Sequence, residues 1–321
     1  MHKDREKGLK YSFIIPLYNE EMDILETVNH CLQQKSDNFL YEIVLIDDCS
    51  IDGTYELCKN TYGNCEKIIL LRNEANKGVA YSRNYGVKNS TGDIVIFLNA
   101  DELVDENFLL SINKLYINGA DYVFPQSRVE NVATSAYGRF RDCYRLYKYD
   151  RPNKFMWSQG FSCRRSLFYE VNGFNEKYPG CGGEDWDFVS RIDRLHKNRV
   201  VDIDIIVYHK VPTIFFNVVW HMYNRGRGSS NYDLLYLNRN PKKMVIIAFI
   251  KYLFWLTIAV WNLKVFFFVL ALSVLKTLID AYKFAKSYEK TDIYIGCYYL
   301  LDKIIRKIGY GVNIWKHCLH S

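Results

Sequence analysis

No CxxC pair, no internal repeat, no low-complexity linker and no apolar signal ahead of the first strand-like run occur in the 321 residues of this chain, which opens on the charged MHKDREKGLK. The nine cysteines stand singly, at positions 31, 49, 58, 65, 143, 163, 181, 297 and 318. Scattered thiols in apolar surroundings are usually plain core residues, and an odd count leaves at least one unpaired. The expectation is a reduced, cytoplasmic chain without a disulfide framework. Acids are scarce beyond about residue 205, where lysines alternate with runs of Phe, Leu and Ile. A net charge of +6 distributed in this way lacks the polar groove pattern of a nucleic-acid reader and points to a membrane surface.

What the chain does have is apolar patterning. Hydrophobic residues make up 49% of it, enough for a full core in one large or two smaller domains. SFIIPL (12–17), EIVLID (42–47), KIILL (67–71) and DIVIFLN (93–99) are short apolar runs that read as buried strands. Between them, residues 20–34, GTYELCKN and GVAYSRNYGVKNS (78–90) carry helical spacing. Strands alternating with helices imply a parallel sheet covered on both faces, with ligands gathering at the carboxyl ends of the strands.

Three acidic clusters fall at the ends of such elements. DDCSIDGT (47–54) follows EIVLI, and NADE (99–102) follows DIVIFL, so Asp47, Asp48, Asn99 and Asp101 are expected on one rim of the sheet. In GGEDWDF (182–188), Glu184 and Asp185 follow a glycine pair at the start of a predicted helix, where negative charge is favoured. Read singly, each cluster is also ordinary turn or helix capping. Read together, converging carboxylates call for a cation, and Mg²⁺ or Mn²⁺ on a diphosphate prefers such oxygen ligands.

Five segments in order, IIPLYNEE, IVLIDDCSIDGT, NKGVAYSRNYGVKNSTGDIVIFLNADE, VNGFNEKYPGCGGEDWDF and VYHK, resemble family 2 glycosyltransferases of the GT-A fold. The resemblance implies an α/β nucleotide-diphospho-sugar transferase fold, a mostly parallel sheet flanked by helices, and sugar transfer from a nucleotide sugar with inversion. It also implies roles. Pro16, Tyr18 and Glu20 resemble the loop against the nucleotide base, and Asp48, with Asp47 beside it, the acid on the base or ribose. Lys77, Gly78 and Arg83 match the segment that closes over the nucleotide, although Arg83 reads equally as a helix-surface cation. Asp101 stands where the metal-binding DxD motif ends, and Asn99 replaces the first Asp of that motif, an amide being the weaker ligand.

By the same resemblance Asp185 is the acid that takes the proton from the acceptor hydroxyl, with Glu184 and a wall of Trp186 and Phe188 to raise its pKa. Asp187 is expected to serve structure. His209, closing VVDIDIIVYH, resembles the histidine that joins the metal or the leaving diphosphate, and also reads as structural. PTIFFNVVWHMYNRGRGSS is expected to be a helix ending in a glycine-broken basic loop, where Arg225 and Arg227 either neutralise the departing diphosphate or lie solvated at a membrane surface. In MWSQGFSCRR (156–165), Trp157 and Gln159 either touch sugar or pack.

From Met244 the composition changes. Residues 244–261 and 265–279 are apolar nearly all round and flanked by Lys242, Lys243, Lys276, Lys283 and Lys286. As helices they would extend about 22 to 27 Å, so they are expected to form a hairpin that barely spans the bilayer or re-enters, both termini cytoplasmic, a buried helix pair being the alternative. An amphipathic helix over 292–310 suits lying on anionic lipid. The expected organisation is a catalytic domain over 1–230 and membrane-associated helices over 231–321. The expected function is a hexosyltransferase-type inverting enzyme at the cytoplasmic face of the cell membrane, dependent on a divalent cation, with a nucleotide-diphosphate sugar donor and a lipid or lipid-linked acceptor. A polysaccharide-building transferase with a soluble acceptor and a non-catalytic nucleotide-sugar-binding module are the alternatives.

Overall fold

The structure, a computed structural model, describes residues 8–36, 39–149, 159–178, 180, 182–261, 263–286 and 293–320. They form two compact units, one of Met1–Glu130 and Pro152–Lys210, the other of Asn131–Arg151 and Val211–Ser321. The units meet in the sequence at Lys210 and Val211, and a helix over Phe215–Leu235 runs unbroken through residue 230.

The first unit is built on an eight-stranded sheet. Its strands are β1 (Lys10–Leu17), β2 (Leu40–Asp47), β3 (Ile68–Arg72), β4 (Ile94–Phe97), β5 (Glu102–Val104), β6 (Tyr122–Val129), β7 (Ser162–Arg164) and β8 (Arg199–His209), in the order β3-β2-β1-β4-β7-β6-β8-β5. The four strands read from the sequence are parallel, as expected. The other half is not: β7 runs antiparallel to both β4 and β6, and β5 antiparallel to β8, so the sheet is mixed. The expected parallel bias came from the βαβ alternation, which stops after β4. Strand order reverses at β1, whose neighbours β2 and β4 lie on opposite sides, and this is the crevice where open α/β sheets take ligands.

Helices α1 (Ile24–Leu32), α2 (Thr54–Tyr62), α3 (Val79–Lys88), α4 (Phe108–Ile117), α6 (Arg165–Glu170) and α7 (Glu184–Asp193) belong to this unit, and α5 (Ala136–Tyr149) to the other. In α1 the buried Ile24, Val28 and Cys31 recur at helical spacing against Phe13, Ile15 and Leu45 of the core. A second cluster of rings fixes α7. Phe188, one turn into it, stacks on Phe174 at 4.1 Å between centroids, and Phe174 meets Phe97 of β4 edge-on at 5.1 Å. The apolar anchor thereby sets the first turn of α7 beside the end of β4.

The second unit is helical: α5, α8 (Phe215–Leu235), α9 (Pro241–Trp261), α10 (Leu263–Lys286) and α11 (Ile293–His320). The expected break in GRG does not occur, and α8 passes straight through Gly226 and Gly228. The reason is close packing. A Cβ on Gly226 would stand 2.1 Å from the Arg306 carbonyl oxygen, and one on Gly309 would stand 2.2 Å from that of Tyr223, so the glycines let α8 and α11 touch backbone to backbone. Polar groups line the same seam. Arg225 and Arg306 both pair with buried Asp302, at 2.7 and 2.9 Å, and Asn313 donates to Ser230 and Asn231. Among the described residues no helix is long and apolar enough to cross a membrane, so the spanning form of the hairpin is not found. Cys31, Cys49, Cys58, Cys65, Cys143, Cys163 and Cys297 are free thiols.

Candidate active site

At the carboxyl ends of β2, β4 and β8 the first unit carries three groups of polar contacts, around Asp48, around Arg83 and at the Asp101–His209 pair. Asp48, just past β2, is buried, and both its oxygens are taken: Oδ1 accepts Asn73 Nδ2 at 2.7 Å and Lys77 N at 2.8 Å, and Oδ2 accepts Gly78 N at 2.8 Å. Asp48 therefore holds the loop that opens α3. Asp47 beside it is fully buried, with Arg72 Nε 3.2 Å from Oδ2 and the Ser50 amide donating to its carboxylate. Lys77 is exposed, its ammonium 4.6 Å above the Tyr81 ring. Pro16 lies in β1 opposite Ile46, and Tyr18, just past the strand, is 43% exposed at the crevice end.

Arg83, one turn into α3, is not a surface cation. It is buried, donates from Nη1 to Glu184 Oε1 and from Nη2 to Asn99 Oδ1, each at 3.0 Å, and lies 5.2 Å over the Phe174 ring. The helix-surface reading failed because one face of α3 turns inward on the sheet end. Asn99 uses its other side-chain atom on Glu102, Nδ2 to Oε1 at 2.7 Å. Glu184 Oε2 accepts the Gly182 amide at 2.7 Å. Gly182 and Gly183, with φ of 113° and 96°, make the turn that permits this, a region that L side chains rarely adopt.

Asp185 follows on α7, partly exposed. Burial, and then the neighbouring Glu184 charge, push its carboxyl up to about 7, and Arg83 pulls the other way. Asp187 pairs with Arg191 at 2.7 Å, one turn on, in the structural role expected of it.

The β5–β8 register sets Glu102 opposite His209, which brings Asp101 onto the histidine: Oδ2 lies 3.2 Å from Nε2. Glu20, after β1, is pushed up to about 8 by burial and by the charges of Asp101, Asp23 and Asp52. Two donors at about 2.1 Å on adjacent octahedral positions stand about 3 Å apart, so the Asp101–His209 pair fits a divalent ion. Nδ1 of His209 is buried without a hydrogen-bond partner among the described residues. No group of three or more His, Cys, Asp or Glu able to hold a metal occurs among the described residues. An oxygen and imidazole donor set suits Mn²⁺.

Residues 12–175 match the family described as "Glycosyl transferase family 2". The chain belongs to this family. Over 120 residues it is 32% identical to an uncharacterized glycosyltransferase of Haemophilus influenzae, covering 35% of this chain and 47% of the relative. Over 102 residues it is 31% identical to the poly(ribitol-phosphate) beta-N-acetylglucosaminyltransferase TarS of Staphylococcus aureus, covering 32% of this chain and 18% of TarS. It thus spans less than half the length of these curated relatives. The mannosyltransferase PcManGT from Pyrobaculum calidifontis, solved with GDP-Man and Mn²⁺, superposes with a TM-score of 0.64 at 18% identity, over 95% of this chain and 87% of that one. TarS 1-349 with UDP gives 0.51 at 22% identity, over 71% and 66%. At such identities the likeness is one of fold, GT-A-like α/β.

Within this family 2 chain, the predicted Asp47, Asp48, Lys77, Gly78, Arg83, Asn99, Asp101, Glu184, Asp185 and His209 fall along the one rim, with Glu20 close enough to feel the charge of Asp101. Arg225 and Arg227 belong to the second unit, where Asp302 matches the Arg225 charge and Arg227 donates to Asn224 at 3.4 Å. Trp157 lies outside the described residues, and Gln159 accepts from Ser127 at 2.7 Å. Sequence reasoning missed Asn73 and the parts played by Glu102, the last acid of NADE, and by Phe174, which stands in the segment VNGFNEKYPGCGGEDWDF.

Proposed function

We propose that this chain is an inverting glycosyltransferase that moves a sugar from a nucleotide-diphosphate donor to a hydroxyl of a lipid or lipid-linked acceptor at the cytoplasmic membrane face. The observation that carries the chemistry is Asp185: a carboxyl held near 7 at the first turn of α7, joined through Glu184, Arg83 and Asn99 to the turn bearing Asp101. A base poised near neutrality suits proton removal from an alcohol in the transition state. The acceptor O–H proton passes to Asp185, the acceptor oxygen bonds to the anomeric carbon from the opposite face, and the anomeric C–O bond breaks with its electron pair leaving on the nucleoside diphosphate. Asp101 and His209 would hold the divalent cation, which supplies charge stabilisation to the departing diphosphate when bound. The donors held by the fold neighbours, UDP-GlcNAc in TarS and GDP-Man in PcManGT, define where to begin.

The membrane acceptor is supported by the second unit. On α9 the exposed residues include Ile246, Phe249, Ile250, Leu253 and Phe254, and exposed Lys242 and Lys243 precede them. Apolar side chains exposed around a helix behind a basic step suit a lipid surface.

The test begins with thermal shifts against UDP-, GDP- and dTDP-sugars, with and without Mn²⁺. The donor found is then followed for slow hydrolysis. Wild type should release free sugar in Mn²⁺, and Asp185→Asn should bind donor with unchanged affinity while losing turnover by on the order of a hundredfold or more. Donor binding without any turnover by wild type would make the chain a nucleotide-sugar-binding module.

A further inference from the structure

Asn99 stands between two groups of opposite hydrogen-bonding character. Arg83 only donates, and Glu102, fully buried, only accepts when ionised. The residue joining them must accept on one side and donate on the other, and the amide does both: Arg83 Nη2 to Oδ1 at 3.0 Å, and Nδ2 to Glu102 Oε1 at 2.7 Å. The two partners also settle which amide atom is which. Glu102 Oε2 takes the Asn99 backbone N–H at 3.1 Å, so Glu102 closes the short turn that presents Asp101. At the other end Arg83 fixes Glu184 Oε1, while Oε2 holds the Gly182 amide in the turn that starts α7.

We propose that Glu102, Asn99 and Arg83 form a positioning relay that locks the Asp101 turn to the first turn of α7, so that the side bearing the leaving group and the side bearing the base keep one spacing. The amide at 99 is required for that relay, and its place in the DxD-like motif reflects positioning, not a weakened metal ligand. A carboxylate at 99 would still accept from Arg83 but would turn an acceptor toward Glu102, leaving a buried oxygen without its donor. Buried polar networks of this kind are stabilising only when every member is satisfied. The catalytic consequence of the relay rests on the reading of Asp185 as the base.

The experiment is a swap in the full chain: Asn99→Asp, Glu102→Gln and the double variant. In the double variant the amide introduced at position 102 accepts the backbone N–H of 99 on its oxygen and donates from its nitrogen to the new carboxylate, so the contact is remade with its polarity reversed. Thermal unfolding, Mn²⁺ titration and hydrolysis of UDP-GlcNAc or GDP-mannose are measured on all four proteins. Each single variant should lose on the order of tenfold in kcat with donor KM and Mn²⁺ affinity within about twofold of wild type, and the double variant should recover about half of the wild-type kcat. The unfolding midpoints should show the same non-additivity. Tighter Mn²⁺ binding or faster turnover in Asn99→Asp alone would overturn the proposal, since it would make position 99 a metal ligand. Additive losses in the double variant would overturn it too. Turnover retained by Asp185→Asn would sink the base assignment instead, and the coupling in the unfolding midpoints would still decide whether 99 and 102 act as a pair.

Discussion

At the scale of single residues, a carboxyl with a raised pKa makes a demand on pH. With Asp185 held at about 7 by burial and Glu184, the group is mostly protonated at pH 6 and cannot accept a proton from an alcohol. Turnover per enzyme should rise with pH, bend near 7 and level off above it, measured as kcat against pH with the donor saturating. A limb that bends near the ordinary aspartate range, or a flat profile, would remove Asp185 from the role. Stability carries the opposite sign. The folded chain holds this proton more tightly than the unfolded one, so the contribution favouring folding is present below about pH 4 and is withdrawn as pH climbs to about 7. The candidate residues were legible because each followed an apolar run that ended in acids. What they bond to was not. Nothing in the string says that Arg83 turns inward or that Asp48 has both oxygens occupied, because such contacts join residues up to 101 positions apart through the packing of Phe174 and Phe188.

Among elements, local pattern predicted the four parallel strands and the helix at Glu184, whose buried runs and glycine turn are visible within a few residues. It failed where tertiary packing sets the outcome. The three-residue strands β5 and β7 are too short to show alternation, and GRG was expected to break a helix that in fact continues. Glycine costs about 1 kcal/mol against alanine in a helix, so its presence at 226 and 309 needs a gain elsewhere, and contact between the α8 and α11 backbones supplies one. That argument fixes the signs of three substitutions. Gly226→Ala and Gly309→Ala should each lower stability by about 1–3 kcal/mol despite better helix propensity, because the new methyl meets a carbonyl oxygen that cannot move alone. Gly311→Ala, on the same helix with nothing within 4 Å of the added carbon, should raise it by about 0.5–1 kcal/mol. Urea titration of the three variants measures this. Equal effects at 309 and 311 would contradict the close crossing.

For the molecule as a whole, the second unit buries apolar groups such as Phe140, Val218, Met222 and Ile314 and yet leaves many others exposed. The buried face of α11 carries Asp302, Gly309 and Asn313, whereas Ile304, Ile308, Val312, Trp315 and Leu319 are exposed along the other side at helical spacing. Large apolar groups are likewise exposed on α9 and α10, including Phe254, Phe267, Phe268 and Leu275, with Lys251, Lys264 and Lys276 exposed among them. Such a surface calls for a cover, and on the function proposed above lipid would supply it without requiring a helix to cross the bilayer. The full chain should therefore co-sediment with vesicles, more strongly with phosphatidylglycerol than with pure phosphatidylcholine. Lys242→Ala with Lys243→Ala should weaken binding to the anionic vesicles by roughly tenfold or more at low salt, each lysine near the surface contributing about 1 kcal/mol. High salt should erase that difference, since the Debye length falls to about 3 Å at 1 M, and should leave the apolar part intact. Ile304→Ser with Ile308→Ser should weaken binding at both salt concentrations, by an amount that salt does not change. If the chain ignores vesicles and light scattering finds it as a multimer, the covering surface is another copy of itself, and the acceptor need not be a lipid.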